Sequence, residues 1–175
     1  MRRWLCAVVV LGALLVAAVV ARATGRLDAE VVWVDDGDTV DVRLGDRIER
    51  VRYIGIDAPE VPHDGHGGTP GGLSAAEINR TLVANRRVAL ELDVERRDRY
   101  GRLLAYVWVD GVMANLEMVR RGYARALTIP PNLRYWRSFV TAERTARIER
   151  RGLWPTGALR RAPARPVSSV AGPKP

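Results

Sequence analysis

The chain has 175 residues, 47% hydrophobic and 27% charged, which suits one globular domain, is too short for two ordinary ones and is too apolar for disorder throughout. Its one cysteine, Cys6, excludes a disulfide framework, a cysteine zinc cluster and a thiol-redox motif. The formal charge of +8 is concentrated at the ends: without Arg2, Arg3, Arg22, Arg160, Arg161, Arg165 and Lys174, 21 basic residues face 20 acidic ones, so bulk charge says little about a polyanionic partner.

Met1-Arg2-Arg3 leads into an uncharged run from Trp4 to Ala21, closed by Ala21-Arg22-Ala23. A basic start, an apolar stretch and a small-residue cleavage pattern describe an export signal. As a helix the run would extend about 27 Å, close to a bilayer core of ~30 Å. Retention of residues 4–21 as a membrane anchor therefore stays open beside cleavage, with 1–23 set apart from a domain at 24–155. On either reading the domain works outside the cytoplasm, secreted or membrane-tethered, where a chain free of further cysteines is at ease.

Strand patterns come first. Ala29–Asp35 and Thr39–Leu44 are β-branched runs separated by Asp36-Gly37, a hairpin signal, and Arg47–Ile56 continues the alternation after Gly45-Asp46. His63–Gly72 holds five glycines and predicts a mobile loop. Ser74-Ala75-Ala76-Glu77 reads as a capping box opening a helix to about Arg86. Val88–Val94 and Arg102–Val109 predict two more strands. Helices follow over Ala114–Arg121, ended by Gly122, and over 132–151, with Trp136, Phe139, Val140 and Ile148 as candidate core. Trp33, Trp108, Trp136 and Trp154 are expected in core or rim packing. Thr156–Pro175 lacks apolar periodicity and predicts a disordered Pro/Arg-rich tail. Five strands, one helix after the third and two after the fifth, predict an α+β fold: a five-stranded OB-fold barrel packed with three α-helices.

The chemistry concentrates in Val34-Asp35-Asp36-Gly37-Asp38-Thr39-Val40 and Val51-Arg52-Tyr53-Ile54-Gly55-Ile56-Asp57-Ala58-Pro59-Glu60. Asp38 opens a strand, while Asp57 and Glu60 flank a proline where another ends; strand ends are where rigid scaffolds carry reactive groups. Brought together, Asp38 and Asp57 would offer a hard cation an oxygen nest left open by water. Read alone, the same acids serve equally as turn formers. Arg52 and Arg102 add planar guanidinium groups suited to phosphate oxygens. His63 and His66, with Glu60 and Asp64, could imitate a transition-metal site, but glycine-flanked loop histidines in solvent are the simpler reading.

Three ordered blocks, the Asp36–Thr39 turn, Arg52–Glu60 and Asp98-Arg99-Tyr100-Gly101-Arg102, together resemble the staphylococcal nuclease-like, or thermonuclease, family from about Val31 to Trp154. That resemblance implies a calcium-dependent nuclease cleaving DNA and RNA toward 3′-phosphate products. It implies Asp38 and Asp57 as side-chain calcium ligands, Ala58 as a carbonyl ligand and Glu60 as general base. Arg52 and Arg102 would clamp the scissile phosphate, Asp36 would support the ligands from behind, and Arg99 and Tyr100 would touch a terminal phosphate. A nucleic-acid substrate is the expected partner, no protein partner is implied, and a monomer is expected.

Three departures stand out. Ala58 replaces the usual threonine, the glycine-rich loop lacks lysine and arginine, and Leu127–Pro131 lacks the tyrosines that pack on a bound base. Weaker substrate binding with the reaction intact is the expectation, since base stacking is worth roughly 1–3 kcal/mol per base. A noncatalytic nucleic-acid-binding barrel is the rival reading, and an envelope-tethered structural domain a third. Neither needs Asp38, Arg52, Asp57, Glu60 and Arg102 together.

Overall fold

The computed structural model describes residues 25–62 and 67–159. The leader, His63, His66 and residues 160–175 lie outside the described residues, and so do the expectations placed on them. The strands are β1 (Leu27–Val34), β2 (Thr39–Leu44), β3 (Arg47–Tyr53), β4 (Ile56–Asp57), β5 (Arg87–Glu91), β6 (Leu103–Val109), β7 (Val112–Met113) and β8 (Arg125–Ala126). Helix α1 (Gly72–Val83) lies between β4 and β5, α2 (Ala114–Arg120) between β7 and β8, and α3 (Trp136–Ile148) after β8.

Period-two patterning builds the barrel. Val40, Val42 and Val51 are fully buried, while their strand neighbours Asp41, Arg43, Arg50 and Arg52 face outward. Strands run in the order β3-β2-β1-β5-β6, and a parallel pairing of β3 with β6, Val51 to Leu103 through Tyr53 to Ala105, closes the ring. This is the expected five-stranded barrel with three helices. Short strands add to it: β7 pairs with β6, and β4 forms a separate two-stranded sheet with β8. Phe139, Ala142 and Ala146 turn the buried or half-buried side of α3 inward.

Several local expectations are corrected. The third strand breaks at Tyr53, because Ile54 N–H leaves the β2–β3 ladder to donate to the Ala105 carbonyl and the chain turns at Gly55 before resuming as β4. No capping box forms at Ser74: α1 starts at Gly72, no side chain caps it, and its entry is set by the Gly72 N–H donating to the Thr69 carbonyl. Helix α3 is shorter than 132–151, since Asn132 is spent on the Glu95 backbone, accepting from its N–H at 2.8 Å and donating to its carbonyl at 2.9 Å. Trp136, Val140 and Ile148 are exposed rather than core, and Trp33 also projects into solvent. The ordered end runs past Thr156 to a buried Leu159, because its side chain joins the core.

One polar cluster ties the residue before β1 and the approach to α3 to the barrel. Glu91 is buried and accepts from Arg26 Nη2 at 2.8 Å, Arg134 Nη1 at 2.6 Å and the Tyr135 hydroxyl at 2.9 Å. Burial alone would push its carboxyl up, but the hydrogen bonds from Arg134, Tyr135 and Arg26 outweigh that and hold it below the usual 4.5. A depressed carboxyl contributes stability that is present above the unfolded-state value and lost as pH falls through the folded one. Glu91→Gln is therefore expected to cost about 1–3 kcal/mol at neutral pH, with the deficit shrinking as pH falls through and below 4.5. Urea melts of both proteins across that range check it, and a constant deficit would contradict the linkage.

Candidate active site

The turn between β1 and β2 is held from three sides. Asp36 Oδ1 accepts the Asp38 N–H at 2.8 Å, and the Asp36 carbonyl accepts from Asn79 Nδ2 of α1 at 2.9 Å. Asn79 Oδ1 accepts in turn from the Tyr53 hydroxyl at 3.0 Å, whose ionisation is driven far up by burial. Gly37 lets the turn sit against α1: a Cβ there would lie 2.6 Å from Ala58 Cβ and 2.8 Å from Ala75 Cβ. The turn's two buried acids, Asp36 and Asp38, are thereby pressed toward the segment after β4.

Asp38 is 2% exposed. Its Oδ2 accepts from the Ala58 N–H at 2.7 Å and pairs with Arg52 Nη1 at 2.6 Å. Burial raises its carboxyl well above the ordinary range, Arg52 opposes the rise, and Asp36 adds to it. Arg52 comes from β3, directly across the ladder from Thr39. Its other terminal nitrogen lies 3.5 Å from Asp57 Oδ1, so one guanidinium spans both acids.

Glu60 is fixed through its backbone. Its N–H donates to Thr69 Oγ1 at 2.7 Å, and its carbonyl accepts the Thr69 N–H at 2.9 Å. Gly72 permits this clasp, because a Cβ there would fall 2.0 Å from the Glu60 carbonyl oxygen. The Glu60 side chain opens to solvent, yet its carboxyl is raised, first by the protein crowding it and then by Asp36, with Asp57 adding and Arg52 opposing. Asp36, Asp38, Arg52, Asp57, Ala58 and Glu60 thus share one site.

Arg102 is placed differently. It precedes β6, two residues before Leu104, which is in register with Arg52, so strand alternation sets both arginines on one face. Its Nε donates to Asp98 Oδ2 at 2.7 Å, and its guanidinium lies 5.6 Å from the Tyr100 ring. Among the described contacts none joins it to Arg52, Asp57 or Glu60. Arg99 folds over the exposed Tyr100 ring at 4.8 Å and donates to its hydroxyl at 2.6 Å.

Sequence reasoning missed Arg125. Its Nε and Nη2 approach Asp57 Oδ2 at 2.8 and 2.7 Å, a cross-strand pair fixed by the β4–β8 register. A two-residue strand has no readable period, and only the tertiary pairing reveals it. Asn79 of α1, which carries the Asp36 turn, was missed because its partner lies 43 positions away.

Two carboxylates and the Ala58 carbonyl offer oxygen only, the donor chemistry of hard cations. Among the described residues no group of three or more His, Cys, Asp or Glu side chains is placed to hold a metal ion. Two carboxylates are compatible in donor type with a hard cation, whose remaining oxygens water would have to supply. A bound cation would relieve the penalty that burial and Asp36 impose on ionised Asp38.

The structure is thus a closed five-stranded OB-type barrel that carries an arginine-threaded acid site beside its β1–β2 turn. The chain belongs to the staphylococcal nuclease homologue family, whose pattern it matches over residues 50–156. It is 38% identical over 121 residues to a thermonuclease of Staphylococcus intermedius, covering 69% of this chain and 72% of that protein. It is 34% identical over 125 residues to a thermonuclease of Staphylococcus hyicus, covering 71% and 74%. The SPbeta prophage-derived endonuclease YokF of Bacillus subtilis is 39% identical over 121 residues, covering 68% of this chain and 41% of YokF. These relationships support a nuclease, a hydrolase acting on nucleic acid.

Proposed function

We propose that this chain is an extracytoplasmic, calcium-dependent nuclease that hydrolyses phosphodiester bonds of DNA, RNA or both toward 3′-phosphate products. The observation carrying this reading is the Arg52 guanidinium spanning Asp38 and Asp57 with the raised Glu60 carboxyl beside them. The export reading rests on the leader's composition. Among the described residues no helix is long and apolar enough to cross a membrane.

In this reading Asp38 and Asp57 hold the cation with their carboxylates and Ala58 with its carbonyl. A hard cation there supplies charge neutralisation at the phosphate. Asp36 keeps Asp38 aimed by accepting its N–H. Glu60 takes a proton from the attacking water as the water oxygen bonds to phosphorus. The P–O5′ bond then breaks, the leaving oxygen takes up a proton from solvent water to become a 5′-hydroxyl, and Glu60 returns its proton to solvent. Arg52 and Arg102 neutralise the charge that builds on the phosphate oxygens, Arg102 reaching them by releasing Asp98. Arg99 and Tyr100 hold a neighbouring phosphate. A segment Leu127–Pro131 without aromatic side chains leaves a bound base unstacked, so substrate binding is weak while the chemistry is intact.

The test is digestion of single- and double-stranded DNA and RNA with calcium and with a chelator, followed by end-group analysis. Calcium-dependent release of 3′-phosphate ends is expected. Asp38→Ala is expected to raise the calcium needed for half-maximal activity at least tenfold, the lower end of what even outlying partners of a metal are worth at about 10–100-fold. Equal digestion in chelator, or 5′-phosphate ends, would overturn the proposal.

A further inference from the structure

Asp57 is the carboxylate of the site that two different guanidinium groups approach, one on each oxygen. Arg125 covers Oδ2 through two nitrogens at 2.7 and 2.8 Å, and Arg52 approaches Oδ1 at 3.5 Å. The Arg125 contact is built in by topology. Asp57 and Arg125 are direct partners in the β4–β8 pair, the Leu127 N–H donates to the Gly55 carbonyl at 2.9 Å just beyond it, and α3 packs against β8. Opposite charges facing across a ladder attract one another, and both side chains are mostly shielded, at 27% and 29% exposed.

The same carboxylate is the one the proposed function needs for its cation. A guanidinium on Oδ2 withdraws a lone-pair site and sets a full positive charge one carboxylate away from any cation on Oδ1. Asp38, the other carboxylate, is occupied in the same way by Arg52. Asp36 and Glu60 lie near these two acids, and among the described contacts the arginines that pair with the site are Arg52, on Asp38 and Asp57, and Arg125, on Asp57. Arg52 extends over two acids and is placed to serve the phosphate. Arg125 reaches Asp57 alone, in a fixed register.

Resting on the cation-site reading above, we propose that Arg125 is a charge competitor at Asp57 that holds the free protein's affinity for divalent cations low. Two effects of losing it oppose one another. Removing its charge strengthens attraction for a cation, whereas removing its hydrogen bonds frees one short side chain that Arg52 still approaches. Charge wins, because a unit charge acts on a doubly charged ion while the lost ordering concerns the few rotamers of one aspartate.

Calorimetric titration of calcium into the full chain without nucleic acid tests this with no recourse to activity. Arg125→Gln and Arg125→Met are expected to lower the calcium dissociation constant about tenfold, and Arg125→Lys, which keeps the charge, is expected to stay near wild type. The gap should narrow at high salt, since screening weakens a charge effect and leaves a packing effect alone. Thermal melts identify any variant that has not folded, and either neutral variant suffices. Unchanged or weaker calcium binding in the folded neutral variants overturns the competitor role, as does a lysine variant that tightens equally. If neither wild type nor the folded neutral variants take up calcium, like Asp57→Asn, the underlying cation-site reading is overturned instead.

Discussion

Glu60→Gln is expected to lower kcat by about 10²–10⁴-fold, the usual contribution of a general base, with KM nearly unchanged. Its position explains the separation. The backbone of Glu60 is pinned on both sides by Thr69 and packed against Gly72, so the substitution leaves the site's frame alone. Glutamine keeps the size and polarity of the side chain but accepts no proton. The raised carboxyl, crowded by protein and facing Asp36 and Asp57, moves toward the neutral range where proton removal from water is better matched. In the variant one acid fewer repels an incoming phosphate, which if anything favours binding. Steady-state kinetics on a defined oligonucleotide decides it. Full turnover in the glutamine variant would remove Glu60 from the mechanism.

Asn115→Ala is expected to be the most damaging single change to stability, at about 3–5 kcal/mol. Asn115 is 0% exposed in the first turn of α2. Its Oδ1 accepts the Val107 N–H at 2.8 Å, and its Nδ2 donates to the Ile54 carbonyl at 3.0 Å and the Ala105 carbonyl at 3.2 Å. One amide therefore locks α2, the closing strand β6 and the turn that delivers Asp57. Alanine strands buried backbone groups, each costing about 1–3 kcal/mol, and opens a small void besides. Urea unfolding should show a lower midpoint at an unchanged slope. A loss below ~1 kcal/mol would mean that water replaces the amide.

How much of this was written in the chain depends on the range of the signal. The Asp-Gly turn and the alternation of Val40, Val42 and Val51 are local, and both appear where the pattern put them. A five-stranded barrel was also expected from the strand pattern, while the parallel β3–β6 pairing that closes it is long-range and was not. What failed was decided at a distance. Ser74 looks like a cap, but a backbone bond from Gly72 to Thr69 starts the helix earlier. Trp136 and Val140 fit a helical stripe, yet the side of α3 that meets the barrel carries Phe139 and Ala146. In the site, the acids and Arg52 were legible because they sit in compact blocks beside turns. Arg125 was not, because its only signal is a partner 68 positions away. Arg102 lies on the anticipated face but is tied to Asp98, an ion pair between neighbours that no spacing rule distinguishes from a free arginine.

The two-bond closure between Glu60 and Thr69 separates the proposed general base from the chain that departs after it. Whatever is spliced between those two anchor points, in length or in charge, enters and leaves through a knot that already fixes the acid's height above the barrel. That connection is thus a place where substrate preference can be rewritten, by adding cations for instance, without retuning the reaction centre.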